Sequence, residues 1–159
     1  MAMVEKINLK VNGRSQQVEI LEDEPLLYVL RNKFQLNGPK YGCGKHQCGA
    51  CMVLVDGKSE FSCIKPAKEF ENKEVVTLEG LENNNSLHPV QEAFIEEQAA
   101  QCGYCINGVI MTAISLLQEN PKPSQEEIKK ALQGIICRCG THTRFLNAID
   151  KASQKLQKA

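Results

Sequence analysis

Eight cysteines are the residues of this 159-residue chain whose type and spacing best suit chemistry. They form two tight groups instead of being spread along the chain as disulfide staples are. Thiolates gathered in fours hold zinc or iron–sulfur clusters. The sequence therefore predicts two metal centres, the first built from Cys43, Cys48, Cys51 and Cys63 and the second from Cys102, Cys105, Cys137 and Cys139.

The first group has the spacing C-x4-C-x2-C-x11-C, and its first three cysteines match the plant-type [2Fe–2S] ferredoxin run. Gly42, Gly44 and Gly49 let the loop adopt positive φ angles, which would turn amide N–H groups toward the sulfurs. Cys63 would arrive from the end of a hairpin. Zinc is the alternative, but the glycine-rich loop favours a cluster. His46 could replace a ligand, yet four cysteines suffice, so we expect it to be solvated.

The second group has the pattern CxxC-x31-CxC, and this spacing alone does not distinguish zinc from an iron–sulfur cluster. Cys105 precedes a helix predicted to begin near Gly108, and Cys137-Arg138-Cys139 precede the last predicted helix. Two helix N-termini facing one centre would favour negative charge there. Inert buried thiols could explain single cysteines of this group, but they explain all four together poorly.

The elements that position the first group are predicted in residues 1–80. Apolar and polar residues alternate over residues 4–11, which predicts a strand. Asn12-Gly13 predicts a hairpin turn, and residues 16–21 would form the second strand of that hairpin. Pro25 begins a helix that extends to about Phe34. Residues 51–63 predict a strand, an Asp56-Gly57 turn and a strand, and residues 75–78 a last strand. We expect a small α+β domain.

A polar linker is predicted at residues 81–85, and residues 86–159 are helical in pattern. Ser124 with Glu127 forms a capping-box signature at the start of one helix. The four helices, with short loops, predict an antiparallel bundle; they cover residues 89–98, 108–119, 124–133 and 143–156.

Composition excludes several classes of function. Lys and Arg together number 19, as do Asp and Glu, so the chain lacks the excess of basic residues that is typical of nucleic-acid binding. Aromatic residues make up only 5%, which also argues against stacking on bases. No apolar run reaches the 18 residues of a membrane helix. The start, MAMVEKINLKV, does not have the pattern of a signal peptide. We expect a cytoplasmic protein, or one exported already folded with a signal-bearing partner.

Three runs carry a family likeness: YGCGKHQCGACMVLVDG (41–57), QCGYCINGVIMTA (101–113) and IICRCGTHTRFLNAI (135–149). In this order they resemble the iron–sulfur subunit of the molybdenum hydroxylases, the xanthine dehydrogenase and aldehyde oxidoreductase family. The likeness covers nearly the whole chain. His88-Pro89-Val90-Gln91 and the Cys-Gly-Thr after Arg138 look closest to isoquinoline 1-oxidoreductase-type small subunits.

The resemblance implies an N-terminal β-grasp ferredoxin domain, a C-terminal four-helix bundle and a [2Fe–2S] cluster on each group of cysteines. It also implies that Gln101 and Cys139 contact the molybdopterin, in its cytosine dinucleotide form, held by a large partner subunit. Electrons would pass from that partner to the second cluster, then to the first, then to a cytochrome, a quinone or a flavin subunit. The reaction would hydroxylate an N-heterocycle or oxidise an aldehyde.

The chain departs from the commonest family pattern at two places. Ile106-Asn107-Gly108 stands where many members have Thr-Pro-Gly, and Gly140-Thr141-His142 where Thr-Gly-Tyr is frequent. No cysteine is lost, so the departures do not affect the predicted clusters. They do leave the substrate undetermined. Two rival hypotheses follow from the residues alone: a stand-alone ferredoxin-like carrier and a zinc-bound interaction module.

Overall fold

The N-terminal half of the chain is a five-stranded mixed sheet packed on one helix, and the C-terminal half is helical. These features come from a computed structural model that describes residues 4–83 and 86–158. The sheet order is β2-β1-β5-β3-β4, with β1 parallel to β5, which is the β-grasp topology expected from the resemblance. The strands are β1 (Val4–Val11), β2 (Arg14–Leu21), β3 (Met52–Val55), β4 (Lys58–Phe61) and β5 (Glu74–Val76).

The first hairpin forms as predicted, because Asn12 and Gly13 adopt φ angles of 51° and 75°, which the tight turn requires. A two-residue turn pairs Val11 with Arg14, so β2 begins two residues earlier than expected. β5 ends at Val76 and does not continue to residue 78. Its end is set by Asn12, whose side chain accepts the Thr77 amide at 2.8 Å and donates to the Thr77 hydroxyl at 3.0 Å.

The helices form where the apolar spacing places them. Ser124 and Glu127 make the predicted capping box, and His88 with Gln91 makes a second one that was not predicted. The third helix of the chain begins two residues earlier than expected, because Cys105 itself is its N-cap. The fourth ends early in a 3₁₀ turn, Leu132–Gly134. The helices are α1 (Leu26–Asn32), α2 (Pro89–Glu96), α3 (Ile106–Glu119), α4 (Gln125–Ala131) and α5 (His142–Leu156).

Strand β3 belongs to two hydrophobic cores at once. Val53 and Val55 face α1 and the core of the N-terminal half, whereas Met52 and Leu54 pack into the core of the helices. All four residues are buried, as expected for a strand that is covered on both faces. The helical half therefore forms the second cover of the sheet, and a truncation such as Leu54→Ala would cost about 2–5 kcal/mol.

The predicted linker, residues 81–85, is only partly described, because residues 84–85 lie outside the described residues. On either side of them, Asn83 and Ser86 exchange two backbone hydrogen bonds of 2.9 and 3.0 Å. None of the helices found in residues 4–83 and 86–158 has the length and apolar character needed to cross a bilayer.

Glu79 anchors the segment that leads into the first cysteine loop. Its Oε1 accepts the backbone N–H groups of Asn37 and Gly38 at 2.7 and 2.6 Å, and its Oε2 accepts the Thr77 hydroxyl at 2.7 Å. Burial opposes ionisation, but these donors outweigh it and lower the pKa of the Glu79 carboxyl. The resulting stabilisation is present above the unfolded value of about 4.3 and is lost as the pH falls through the folded value.

Replacing Glu79 by Gln should therefore destabilise the protein by about 1 kcal/mol at pH 7, because one amide oxygen cannot accept all three donors. The thermal midpoint followed by circular dichroism should fall by about 2–4 °C. Glu82→Gln is the matched control, since Glu82 is a nearby exposed carboxylate. Equal midpoints for the two variants would contradict the anchoring role.

Candidate metal centres

The first cysteine group lies on a loop that is shaped by amide groups pointing at sulfur. The Cys43 amide donates to Cys48 Sγ, and the amides of Lys45 and Gln47 donate to Cys43 Sγ, all at 3.3 Å. Gly44, His46 and Gly49 supply the positive φ angles, from 55° to 74°, that turn the chain this way. The expectation for Gly42 was wrong, because Gly42 has no positive φ and His46 provides the third one. The expected direction of these amides is confirmed, and they favour negative charge on the sulfurs.

The four thiols of the first group are arranged as two pairs. Cys43 and Cys48 are in contact on the half-buried loop, while Cys51 and Cys63 are in contact beneath it. The β3–β4 hairpin creates the inner pair, because Cys51 immediately precedes β3 and Cys63 follows β4 by two residues. Cys51 and Cys63 are only 2% and 4% exposed and pack with Leu27.

The two pairs of the first group differ in how readily a thiol ionises. Burial raises the pKa of Cys51 to about 12, helped by the neighbouring Cys63 thiol. Burial also opposes ionisation of Cys43, but the amides of Gln47 and Lys45 bring its pKa down to about 7. A thiolate at Cys51 therefore needs a positive charge beside it, which is what a bound metal provides.

The second group also consists of two pairs. Cys102 contacts Cys139 at the surface, and Cys105 contacts Cys137 deeper in the protein. Cys105 is the N-cap of α3, and Cys137 lies 3.5 Å from the hydroxyl of Thr141, the N-cap of α5. Both helix N-termini thus begin beside the group, as the sequence predicted, and their partial positive charge suits an anionic centre.

The second group likewise contains one thiol with a raised pKa and others with a lowered pKa. Burial raises the pKa of Cys105 to about 12, and the adjacent Cys137 thiol adds to the shift. Burial likewise opposes ionisation of Cys137, but the hydroxyl and amide of Thr141 lower its pKa to about 7. The Tyr104 amide, followed by the Cys139 thiol, lowers the pKa of exposed Cys102. Each group thus has at least one thiol that ionises easily and one that does not.

Paired thiols are the donor set of a binuclear cluster, in which each iron takes two protein ligands. Across residues 4–83 and 86–158, no three or more His, Cys, Asp or Glu side chains are close enough as they stand to hold a metal ion, so the fit rests on the contacting thiol pairs. The first loop also fits closely around its sulfurs: a Cβ on Gly42 would come within 2.5 Å of Cys48 Sγ. The four thiols of each group would therefore fit a [2Fe–2S] cluster, which would supply one-electron redox chemistry there.

His46 is not solvated as expected. Its ring stacks on Phe61 with 4.8 Å between centroids, and its Nε2 is buried without a hydrogen-bond partner in the described part of the chain. The reason is the positive φ of His46, which directs the side chain inward over the β4 end of the hairpin. The sequence offered no signal for this packing.

Gln101 and Cys139 are brought to one surface. Gln101 is exposed and adjoins exposed Cys102, whose thiol contacts Cys139. A groove of about 290 Å³ runs from here to the first group and is lined in part by Cys48, Cys102 and Cys105. The two groups of cysteines therefore share one groove, and this proximity could not be read from the spacing of either group.

Direct contacts hold the two groups together. The Ile136 amide donates to the Cys48 carbonyl at 3.1 Å, and the Tyr104 hydroxyl donates to the Tyr41 carbonyl. A Cβ on Gly108 at the start of α3 would come within 2.3 Å of the Gly49 carbonyl oxygen, so the backbones meet there. These bridging residues were not predicted from the sequence, although Gly108, three positions after the last cysteine of the CxxC run, was a usable signal.

Comparison with known proteins agrees with this geometry. Residues 9–81 match the family described as 2Fe-2S iron-sulfur cluster binding domain, and residues 77–150 match the [2Fe-2S] binding domain family. Two curated relatives match over nearly their whole length. One is a subunit of nicotinate dehydrogenase from Pseudomonas putida, 51% identical over 96% of this chain and 97% of the relative. The other is the alpha subunit of isoquinoline 1-oxidoreductase from Brevundimonas diminuta, 45% identical over 94% of this chain and 98% of the relative.

Among solved structures, a chain of quinoline 2-oxidoreductase from Pseudomonas putida 86 superimposes with a TM-score of 0.92 at 32% identity, covering 98% of both chains. The expected resemblance is confirmed in sequence and in fold. This chain belongs to the iron–sulfur subunits of the molybdenum hydroxylase family, the oxidoreductases related to xanthine dehydrogenase and aldehyde oxidoreductase.

Proposed function

We propose that this chain is the electron-transfer subunit of a molybdenum hydroxylase that hydroxylates an N-heterocycle. The observation that carries the proposal is the direct backbone contact between the first and second groups of cysteines, which are called the first and second sets below. A bound [2Fe–2S] cluster supplies one-electron chemistry, which neither set of thiols has alone. The relatives' names, nicotinate dehydrogenase, isoquinoline 1-oxidoreductase and quinoline 2-oxidoreductase, favour an N-heterocycle over an aldehyde.

The residues of the chain divide the work of holding such clusters. Cys43, Cys48, Cys51 and Cys63 would ligate one, and Cys102, Cys105, Cys137 and Cys139 the other. The amides of Lys45 and Gln47 hold negative charge at the surface of the first set. Leu27 and Phe61 pack against the inner pair and exclude water from it. Charge stabilisation and exclusion of water are two of the means by which a protein tunes a cluster potential.

The proposed route runs from a large molybdopterin-binding subunit to the second set, then to the first set, then to a cytochrome, a quinone or a flavin subunit. Exposed Gln101, with Cys102 and Cys139 beside it, supports the first contact, in which Gln101 and Cys139 face the pterin, in its cytosine dinucleotide form. In this proposal residues 1–80 and 86–159 are separate cluster-binding domains. Cysteines that are grouped as metal ligands, and not spread as disulfide staples, favour assembly in the reducing cytoplasm.

The function is tested by purifying the chain with its partner and adding nicotinate, isoquinoline or an aromatic aldehyde without oxygen. We expect about four irons and four sulfides per chain, and an N-heterocycle should bleach the visible absorbance. Bleaching by the aldehyde alone would overturn the proposed substrate class. A colourless chain with zinc and no sulfide would overturn the whole proposal, and a chain that is isolated alone and active as a carrier would support a ferredoxin.

Single-ligand variants should separate the two sets. Cys43→Ser should remove the first set's paramagnetic resonance from the reduced protein and keep the second, since the sets share no ligand. Cys139→Ser should do the reverse and should also stop reduction by substrate. Electron paramagnetic resonance and iron analysis of the two variants provide the check. Loss of both resonances in both variants would show that each cysteine serves general folding instead.

Gly42→Ala should weaken the first site without changing any ligand. The added Cβ would lie 2.5 Å from Cys48 Sγ and 3.3 Å from the Ala50 Cβ, so the sulfur must move. We expect reduced iron content and a weaker first resonance, with the second unchanged. Gly134→Ala is the control, because its Cβ would meet nothing closer than 4.0 Å. Full iron content in Gly42→Ala would contradict the assigned position of Cys48 as a ligand.

A further inference from the structure

Asn107 is a buried polar residue that reaches from one cysteine set to the other. It is the second residue of α3, two positions after Cys105, and it is 1% exposed. Its Nδ2 donates to the carbonyl oxygens of Ala50 at 3.0 Å and Met52 at 2.8 Å. These two carbonyls flank Cys51, so one side chain joins the segment that carries Cys105 to the segment that carries Cys51.

The energetic balance of this side chain does not favour a purely stabilising role. The two hydrogen bonds that Asn107 donates stabilise the fold, but its Oδ1 is buried without a partner in the described part of the chain. An unsatisfied buried acceptor carries a desolvation penalty that offsets much of this stabilisation. A leucine, with the same number of side-chain heavy atoms, would remove this penalty but would also remove the donors to the Ala50 and Met52 carbonyls. What the amide adds is a fixed position, because its donors define where the two backbone segments lie.

The residues around Asn107 show why it matters where the two backbone segments lie. β5 pairs with β3 only at Leu54 and Val55, so Asn107 supplies donors beside the part of the strand that precedes this pairing. The next residue, Gly108, leaves no room for a Cβ against Gly49, so the start of α3 cannot move closer to the loop. The glycine contact therefore sets how near the two segments can come, and the Asn107 bonds prevent them from separating or sliding.

We propose that Asn107 is a positioning residue that fixes the separation and relative orientation of the two metal centres by tying the Cys51 segment to the start of α3. The inference rests on the proposed function, because it requires a centre on each set. Asn107 ligates nothing itself, and it acts only through the backbone on either side of Cys51.

The test uses the complex of this chain with its partner and two variants, Asn107→Leu and Asn107→Asp. Both keep the number and branching of the side-chain heavy atoms and remove the amide donors. Thr112→Val is the matched control, since Thr112 is also a buried polar residue of α3 whose hydroxyl has no partner in the described residues. The readout is the splitting between the two paramagnetic centres in the fully reduced protein, since magnetic dipolar coupling falls with the cube of their separation.

We expect both Asn107 variants to keep both resonances while the splitting shifts, and Thr112→Val to keep the wild-type splitting. A wild-type splitting in either fully loaded Asn107 variant would overturn the inference and leave the proposed function intact. Loss of iron from both Asn107 variants, with Thr112→Val intact, would also overturn it, because Asn107 would then serve folding. Absence of two resonances in the wild-type protein would instead overturn the proposed function.

Discussion

The close backbone contact between Gly49 and Gly108 is the constraint on which the rest of the molecule depends. It brings the first turn of a helix against the first cysteine loop, and no side chain larger than hydrogen fits at Gly108 without moving the loop. Cys105, the N-cap of that helix, is thereby held near Ala50 and Cys51. The two hydrophobic cores follow from the same contact, since α3 must cover the second face of β3 once its N-terminus is fixed there.

The division of each set into an inner and an outer pair addresses an electrostatic problem. Four thiolates in a fully buried site would carry a prohibitive desolvation cost, whereas four exposed thiolates would leave a cluster open to water. Here Cys51 and Cys105 are buried, while Cys43 and Cys102 lie nearer the surface and ionise more easily because amide groups favour their charge. In each group, the buried thiols are shielded from water, and the negative charge of the outer thiols is stabilised by amide groups.

Features that depend on local spacing were predictable from the sequence. The amide-lined first cysteine loop, the Asn12-Gly13 hairpin and the Ser124 cap each rest on residues close together in the chain, and all three appear in the structure. The β-grasp sheet and the family were predicted from the resemblance. The shared core and the inward His46 ring were not predictable, because they depend on contacts between residues far apart in sequence. Asn107 had looked like a mere departure from a pattern, and only its two carbonyl partners give it a role.

The first cysteine loop has no regular secondary structure between residues 37 and 49, so its conformation depends on hydrogen bonds outside helices and strands. Several of its amides donate to sulfur, and such bonds are strongest when the acceptor is a thiolate. A thiolate in turn is stabilised by a metal. Order in the loop, ionisation of its cysteines and metal binding therefore reinforce one another. Contacts from outside, such as the hydrogen bond from the Ile136 amide to the Cys48 carbonyl, hold the backbone of this loop against the helical half without contributing a ligand to it.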